Sequence, residues 1–538
     1  MSVSLHTSPR PRWWKPFWVA FWVVTAGFWL LGITWSLPNA QHLYSYHPDE
    51  VFTVFPAVHI VQSGDWNPHW FSSGNFLQYL TALTLSVVLP FVRDADWMTV
   101  GHLVARLLVY ALSVGAVVVT YFLGRRAFSP RAGLIAAVLL SATPLLVVTA
   151  HYAKEDAPVA FWVALTLLAA VALQQKGGRW WAWAVAGLAA GFAAGTKYNA
   201  GAVLLIPLLV AFLSPGAARW GRAALVLVGG ALGFLACCPY ALLAPDEFRR
   251  SIELALAQAR ADQPWTLAFQ GRGPGWWYYA IIGLPVALGW PLYALSLAGI
   301  GSALRRRTAA GTLLLVWVVV SFLLVGATAD SFVRYLTPLL PALAVLCGAA
   351  ADRWLTAAAP ARRRWVYAAV AVAWAVAAES AKGPVLQMAS RDPRDTAAAF
   401  LARQGGRVGL LEPPWYRTPP VSPINGGPVA GREFQAWQAA HPGAVVITGL
   451  SPDTLFGEFP RWFVVSDLET MDPQRLGDAQ TRAFLDALDR TYQVHQLFAP
   501  HWLPTLTGIP KRHLPPDWLY PFPTINVYVR TLFGTKDP

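Results

Sequence analysis

Long apolar segments recur along the chain from about residue 17 to about residue 380, and short polar loops separate them. The chain is 56% hydrophobic and only 13% charged, whereas an ordinary soluble domain carries about 25% charged residues. A run of about 20 apolar residues is long enough to cross a bilayer as a helix. We therefore predict a polytopic α-helical membrane protein with about eleven transmembrane helices.

The predicted spans are inferred from the length and hydropathy of these segments. They cover approximately residues 17–37, 99–123, 132–150, 157–173, 180–196, 199–213, 222–243, 278–301, 309–327, 333–351 and 365–380. A further apolar stretch, Phe76 to Val92, contains Pro90. Counting it as a span would place Arg125 and Arg126 outside the cell, so we predict an interfacial helix within an outer loop of residues 38–98.

Basic clusters and acid-bearing loops fall on opposite sides of the membrane in this arrangement. Clusters such as Arg305-Arg-Arg307 and Arg362-Arg-Arg364 lie on the side that the positive-inside rule assigns to the cytoplasm. The N-terminus, with Arg10 and Arg12, is then cytoplasmic, and residues 381–538 are extracytoplasmic. The formal net charge of +13 thus indicates contact with anionic lipids of a cell membrane and not with nucleic acid.

The segment 381–538 has the polar content of a small globular domain. Short apolar runs at residues 408–411, 444–448, 462–466 and 525–530 predict strands, and residues 394–403 and 474–489 have helical spacing. We therefore predict a transmembrane catalytic domain over residues 1–380 and an extracytoplasmic α/β domain over residues 381–538. The histidines of this segment are dispersed and predict no catalytic group there.

Two outer loops carry acids at a membrane face. The first reads Tyr44-Ser-Tyr-His-Pro-Asp-Glu50, with His47 beside Asp49 and Glu50, and the second, residues 151–158, reads His151-Tyr-Ala-Lys-Glu-Asp-Ala-Pro158. A carboxylate placed there can take a proton from an acceptor while a lipid-borne donor arrives from the bilayer. The alternative is a pair of helix starts, because acids are favoured at the positive end of the helix dipole.

Three cations lie at the outer ends of predicted spans. Lys197 stands between two apolar segments, where its alternative is snorkelling to the interface. Arg334 lies at a helix start, which is unfavourable for a cation unless an anion such as phosphate binds there. Arg106, early in the span from residue 99, could bind phosphate or pair with a loop acid.

The order of these motifs resembles the GT-C membrane glycosyltransferases, and within them the bacterial protein O-mannosyltransferase and aminoarabinose transferase branch. The resemblance rests on the Asp49-Glu50 loop, the arginine at 106, the Tyr152-to-Pro158 loop, Gly191-x-x-x-Gly-Thr-Lys197 and Arg334-Tyr-Leu-x-Pro-Leu-Leu-Pro341. It covers about residues 15–380. It implies transfer of a sugar from a polyprenyl-phosphate donor to an acceptor on the outer face, with inversion at the anomeric carbon.

The same resemblance implies roles for individual residues. Asp49 matches the catalytic acid of the first loop, with Glu50 as its neighbour, and Asp156 matches the acid of the second loop. Lys197, Arg334 and Arg106 match cations near the donor phosphate. The accessory candidates are His47, His151, Lys154 and Glu155, and whether Glu155 or Asp156 faces the site stays open.

Several alternatives remain at this stage. Asp49, Glu50 and Asp156, with His151, could instead hold Mg²⁺ or Mn²⁺, although the family resembled generally works without a metal. A transporter or flippase of polyprenyl-linked sugars would carry its charges near the bilayer midplane. A non-catalytic envelope assembly protein would tolerate loss of Asp49. The sugar and the acceptor, whether protein, lipid or glycan, are not specified by the sequence.

Overall fold

The structure is a computed structural model, and it describes residues 14–92, 96–258 and 267–531. Arg10 and Arg12, on which the predicted cytoplasmic N-terminus partly depends, lie outside the described residues. Helices dominate residues 14–388, and a mixed sheet with helices follows.

Most of the longer helices of the first part correspond to the predicted apolar segments, but Val51–Ser63 and Pro245–Gln258 were not predicted. The longer helices are Trp14–Leu30, Val51–Ser63, Phe76–Val88, Trp97–Ala127, Pro130–Ser141, Asp156–Lys176, Trp180–Thr196, Leu205–Leu213, Arg219–Cys237, Pro245–Gln258, Trp290–Arg306, Ala309–Gly326, Leu340–Ala357 and Pro360–Met388. Among the described residues, six helices are long and apolar enough to cross a membrane, or seven if one bent pair is a single span. The multi-pass architecture is confirmed, but the predicted number of about eleven is not.

Two predicted spans are broken, each for a local reason. The span predicted at 132–150 is two helices, Pro130–Ser141 and Pro144–Thr149, because Pro144 lacks an N–H and forces Thr143 into an extended conformation. The span predicted at 278–301 bends by 116° between residues 288 and 290. Gly289 at this bend has a φ of 76°, which glycine adopts without steric cost.

The outer loop of residues 38–98 contains two helices, Val51–Ser63 and Phe76–Val88. The second occupies the position predicted for an interfacial helix. Both pack against the N-terminal end of helix Trp97–Ala127 through an apolar cluster that includes Val54, Leu85 and Val104. This packing fixes the start of the first helix, where Asp49 and Glu50 lie.

Glycines bring helices Trp180–Thr196 and Arg219–Cys237 into backbone contact. A Cβ at Gly187 would lie 2.0 Å from the carbonyl oxygen of Val226, and one at Gly191 would lie 2.2 Å from that of Gly230. Small residues at such spacing allow close helix packing in membranes. Helix Trp180–Thr196 ends directly before Lys197, whose backbone is extended. The close packing of the two helices therefore fixes the position of Lys197.

The C-terminal part, from residue 393, contains a five-stranded mixed sheet. Its strands are β1 (Val408–Leu410), β2 (Val445–Ile447), β3 (Trp462–Ser466), β4 (Tyr492–Phe498) and β5 (Ile525–Arg530), in the order β2-β1-β3-β5-β4. β1 pairs in parallel with β2 and β3, and β5 pairs antiparallel with β3 and β4. The helices are Pro393–Gln404, Gly431–Ala440, Pro452–Glu458, Asp467–Arg475 and Ala479–Thr491.

The four predicted strands are confirmed as β1, β2, β3 and β5, and the helix predicted at 394–403 as Pro393–Gln404. The helix predicted at 474–489 is wrong in its start, because one helix ends at Arg475 and the next begins at Ala479. Strand β4 was not predicted. It is an edge strand with mostly exposed side chains and a bulge near residue 495, so it lacks the buried apolar run that marks an inner strand.

Candidate active site

Glu50 and Arg106 form a fully buried ion pair. Arg106 donates from Nε to Glu50 Oε1 at 2.9 Å and from Nη2 to Oε2 at 2.7 Å, and neither side chain is exposed. Its Nη1 donates to the carbonyl oxygens of Ile33 and Trp35, and Glu50 Oε1 also accepts from the backbone N–H of Ala153. Burial raises the pKa of Glu50, but the charge of Arg106 outweighs it and lowers the pKa to about 2.

This pairing changes two roles implied by the sequence. Arg106 pairs with a loop acid, which was the alternative to phosphate binding, and all three of its guanidinium nitrogens already donate. Glu50 is likewise occupied and contacts no open space. The pair joins the first loop, helix Trp97–Ala127 and the second loop, so it holds Asp49 in place instead of facing a substrate.

Asp49 and Arg334 meet at the centre of the candidate site. Arg334 donates from Nη2 to Asp49 Oδ2 at 3.0 Å, and its Nε lies 3.7 Å from Asp156 Oδ2. The exposed fraction is 24% for the Asp49 side chain and 11% for that of Arg334. Burial raises the pKa of Asp49, but Arg334 and Lys154 outweigh it and lower the pKa to about 2. Asp49 is therefore a carboxylate with partial access to solvent.

Asp156 lies between the two cations that the family resemblance assigned to the donor phosphate. Its Oδ1 accepts a short hydrogen bond from Lys197 Nζ, while Arg334 approaches its other oxygen. The Lys197 ammonium also lies 4.5 Å from the centre of the Tyr335 ring. Lys197 thus points into the protein and does not snorkel to the interface. Asp156, Lys197, Arg334 and Asp49 form one connected group, as the resemblance implied.

Asp517 was missed by the sequence reasoning, which predicted no catalytic group after residue 381. It lies in a short 3₁₀ helix, Pro516–Trp518, and accepts from the backbone N–H groups of Val333 and Arg334 at 3.2 and 3.0 Å. Its Oδ2 is 3.5 Å from Arg334 Nη1. Burial raises the pKa of Asp517 against the opposing charge of Arg334. The only sequence signal was an acid in an otherwise apolar Pro515-Pro-Asp-Trp-Leu519 run.

Lys154 and Glu155 pair with each other beside this group. Lys154 Nζ lies 3.1 Å from Glu155 Oε2. Burial lowers the pKa of Lys154, but the carboxylates of Glu155 and Asp49 outweigh it and raise the pKa. Lys154 borders the cavity described below, whereas Glu155 does not. Of the two acids in the second loop, Asp156 is therefore the one that faces the site.

The two histidines have different positions. His47 is buried, accepts from the backbone N–H of Asp49 at 3.3 Å and packs on the rings of Tyr152 and Tyr520. Its burial lowers its pKa to about 4, so it is neutral near pH 7. His151 has both ring nitrogens 2.8 Å from the carbonyl oxygens of Val147 and Leu31, and it contacts neither Asp49 nor Asp156 in the described contacts.

A small cavity lies between the membrane helices and the C-terminal part. Its charged and polar lining is His47, Lys154, Asp156, Arg334 and Asp517, and its apolar wall includes Leu145, Val148 and Trp518. Arg334 borders this cavity, and its buried Nη1 makes no hydrogen bond among the described residues, although Asp517 Oδ2 lies 3.5 Å away. A buried donor that lacks an acceptor costs free energy, and an anion bound in the cavity would satisfy it.

Each of the three acids considered for a Mg²⁺ or Mn²⁺ site has a cationic partner. Both oxygens of Glu50 accept from Arg106, and Asp49 and Asp156 each face a cationic side chain. A divalent ion prefers several free oxygen ligands around one point. In this structure Asp49 and Asp156 instead pair with Arg334 and Lys197.

Three comparisons show which known proteins this chain resembles. The profile of the family described as "Dolichyl-phosphate-mannose-protein mannosyltransferase" matches residues 98–242. An undecaprenyl phosphate-α-4-amino-4-deoxy-L-arabinose arabinosyl transferase of Pseudomonas fluorescens is 29% identical over 336 residues, which are 59% of this chain and 57% of that protein. One of Pseudomonas aeruginosa is 27% identical over 349 residues.

Solved structures show the same fold. ArnT from Cupriavidus metallidurans in its apo state has a TM-score of 0.53 at 17% identity, covering 95% of this chain and 98% of that one. The same protein bound to undecaprenyl phosphate gives 0.51 at 18% identity, with coverages of 97% and 100%. The chain therefore has the fold of ArnT and is similar in sequence to mannosyltransferase-like membrane proteins. It spans 57% of the length of the curated relative from P. fluorescens.

Proposed function

We propose that this protein is an inverting membrane glycosyltransferase that transfers a sugar from a polyprenyl-phosphate donor to an acceptor on the extracytoplasmic face. The observation that carries the proposal is Arg334. Its buried guanidinium donates to Asp49, its side chain borders the cavity, and its Nη1 makes no hydrogen bond within the part of the chain that the structure describes. The printed names of the arabinosyl transferases, which specify an undecaprenyl-phosphate-linked sugar, support the same donor class.

In this proposal, Arg334 and Lys197 bind the donor phosphate. Without the donor, the carboxylates of Asp49 and Asp156 hold these cations. When the bond between the anomeric carbon and the phosphate oxygen breaks, the leaving polyprenyl phosphate gains one negative charge. Two cations already placed in a water-poor site stabilise that charge most strongly in the transition state. A separate general acid is then unnecessary.

Asp49 is the proposed general base. Its side chain is more exposed than those of Asp156 and Asp517, and it can accept the proton of the attacking acceptor group on the side of the sugar opposite the phosphate. Its pKa of about 2 makes it a weak base while Arg334 is bound to it. Donor phosphate that draws Arg334 away would raise the basicity of Asp49, so donor binding would activate the base.

The neighbouring residues position these groups. Asp156 orients Lys197, and Asp517 fixes the backbone that carries Arg334. The Glu50–Arg106 pair fixes the loop that carries Asp49. Lys154, next to Asp49 and Asp156, supplies further positive charge at the cavity wall. No step of this proposal passes through a metal ion.

The proposed location is a cell membrane, with the N-terminus cytoplasmic and residues 381–538 extracytoplasmic. The loop charges support this orientation. A reporter that is active only outside the cytoplasm, fused to the C-terminus, is expected to give signal. If a reporter that works only in the cytoplasm gives signal when fused at the same place, the orientation is wrong. The acceptor would then be met on the cytoplasmic side.

The function is tested with purified protein and a panel of labelled polyprenyl-phosphate sugars. Protein, lipid and glycan acceptors are offered in separate reactions, and transfer of label is followed by chromatography. Wild-type protein is expected to release polyprenyl phosphate and label one acceptor class. Movement of the intact donor across a vesicle membrane without release of polyprenyl phosphate would contradict the proposal and favour a flippase.

A further inference from the structure

A second group of titratable side chains lies away from the cavity, on the outer loop of residues 38–98. His59 is near the end of helix Val51–Ser63, and Asp65 and His69 follow in the next loop. All three side chains are exposed. None of them borders the cavity that Asp156, Arg334 and Asp517 line. The proposed function therefore makes no use of them.

These three residues bring nitrogen and oxygen ligand atoms together. One ligand atom from each lies within 4.8 Å of the other two, and His69 Nε2 is 3.0 Å from Asp65 Oδ2. A tetrahedral zinc ion with bonds of about 2.0–2.1 Å has its ligand atoms about 3.3 Å apart. The His69–Asp65 pair is already close to that separation, and a side-chain rotation of the exposed His59 would complete the set.

Glu247 supports His69 from a different part of the fold. It lies on helix Pro245–Gln258, and its Oε1 is 2.7 Å from His69 Nδ1. Its other oxygen accepts from Asn67 Nδ2 at 2.8 Å. A histidine that binds a metal through one nitrogen usually donates from the other to a carboxylate, which fixes the ring and the tautomer. With the proton on Nδ1, Nε2 carries the free lone pair beside Asp65.

We propose that His59, Asp65 and His69 bind a zinc ion, with Glu247 as the positioning carboxylate and water at the fourth position. Two imidazoles and one carboxylate suit Zn²⁺ better than Mg²⁺ or Ca²⁺, which prefer oxygen ligands alone. Without a metal, His69 is hydrogen-bonded between two carboxylates. Binding of the ion replaces the contact to Asp65 and keeps the contact to Glu247.

The ion would brace the outer loop. The loop that carries Asp65 and His69 ends next to Trp70, whose ring stacks on Phe52 at a centroid distance of 4.3 Å. Phe52 lies in the first turn of the helix that begins directly after Asp49 and Glu50. Zinc would thus tie the far end of this helix to helix Pro245–Gln258, and its effect would be on stability and not on the chemical step.

The experiment uses the full chain, purified without a histidine tag and stripped with a chelator. Zinc content after dialysis against a zinc buffer is measured by mass spectrometry, and Co²⁺ is added separately to read the visible absorption of a tetrahedral site. We expect one ion per chain, a higher melting temperature with Zn²⁺ and no such rise with Mg²⁺. Glu247→Gln should weaken zinc binding about 10- to 100-fold.

His59→Ala should abolish stoichiometric binding, and His59→Gln serves as a second variant if the alanine protein does not fold. His441→Ala removes an exposed histidine of the C-terminal part and should bind zinc as the wild type does. Absence of bound zinc in the wild-type protein would overturn the proposal. Equal zinc binding by the wild type and the folded His59 variant would overturn it as well, by showing that the metal binds elsewhere.

Discussion

The substitution Asp49→Asn separates the proposed base from the rest of the site. Asparagine keeps the shape of the side chain but cannot accept the proton from the acceptor. Loss of a general base costs about 10²- to 10⁴-fold in turnover, which is about 3–5 kcal/mol of transition-state stabilisation. The cost should appear in kcat and not in the affinity for the donor.

The structure also gives a direction for donor binding. Asp49 Oδ2 is 3.0 Å from Arg334 Nη2, so in the donor-free protein it competes with the phosphate for this cation. Removing its charge leaves Arg334 between Asp156 at 3.7 Å and Asp517 at 3.5 Å. The donor affinity of Asp49→Asn should therefore equal or exceed that of the wild type, even though turnover collapses.

The pH dependence provides an independent readout. With a pKa of about 2, only about 0.1% of Asp49 is protonated at pH 5 in the free protein. The kcat/KM profile, which reports the free protein, should show no loss from Asp49 between pH 8 and pH 5. Donor binding draws Arg334 away and raises the pKa of Asp49, so the acidic limb of kcat should lie at higher pH than that of kcat/KM.

Initial rates of polyprenyl phosphate release, measured at saturating and limiting donor between pH 4 and pH 8, test this reasoning. Asp246→Asn is the matched control, because Asp246 is an exposed acid in the first turn of helix Pro245–Gln258 and pairs only with Arg249 in the described contacts. It should retain wild-type rates. Wild-type turnover by Asp49→Asn would refute the base assignment, and a defect confined to the donor KM would place Asp49 in donor binding instead.

Three further predictions follow from the same contacts. Arg334→Ala should weaken donor binding more than Arg334→Lys, because lysine keeps the charge and loses only the bidentate geometry. Donor affinity is measured by equilibrium binding. Equal affinity in the wild type and Arg334→Ala would show that Arg334 does not bind the donor phosphate. Arg106→Leu should destabilise the protein by about 3–5 kcal/mol, because it leaves the fully buried Glu50 without its partner. Adding Glu50→Leu to this variant should restore much of the lost melting temperature. A double variant as unstable as the single one would argue against this buried-charge explanation. Burial lowers the pKa of His47 from 6.5 to about 4. The free energy of unfolding should therefore fall by up to about 3 kcal/mol as pH drops from about 6.5 to about 4, because the unfolded chain takes up a proton that the folded one does not. The melting temperature of His47→Gln should depend less on pH in this window, and an unchanged pH dependence would contradict this explanation.

The sequence was sufficient for the membrane class and for four of the charged residues that the structure brings together at the candidate site. A membrane-spanning segment is recognised from about 20 consecutive apolar residues, so it can be predicted without knowing how the helices pack. Asp49, Asp156, Lys197 and Arg334 stand out because a charge at the edge of an apolar segment is costly and needs a partner. The structure links these four in a chain from Lys197 through Asp156 and Arg334 to Asp49. The buried strands β1, β3 and β5 were predictable for a similar reason, since their apolar runs are local.

Only the tertiary structure decided which charge meets which. Arg106 and Glu50 are 56 positions apart, and nothing local distinguishes an arginine that pairs with an acid from one left for phosphate. Asp517 joins Arg334 across 183 positions, and β4 is defined only by its pairing with β5. Hydropathy is a property of neighbouring residues, whereas ion pairing in a buried site depends on which distant backbone segments the fold brings within about 3–4 Å.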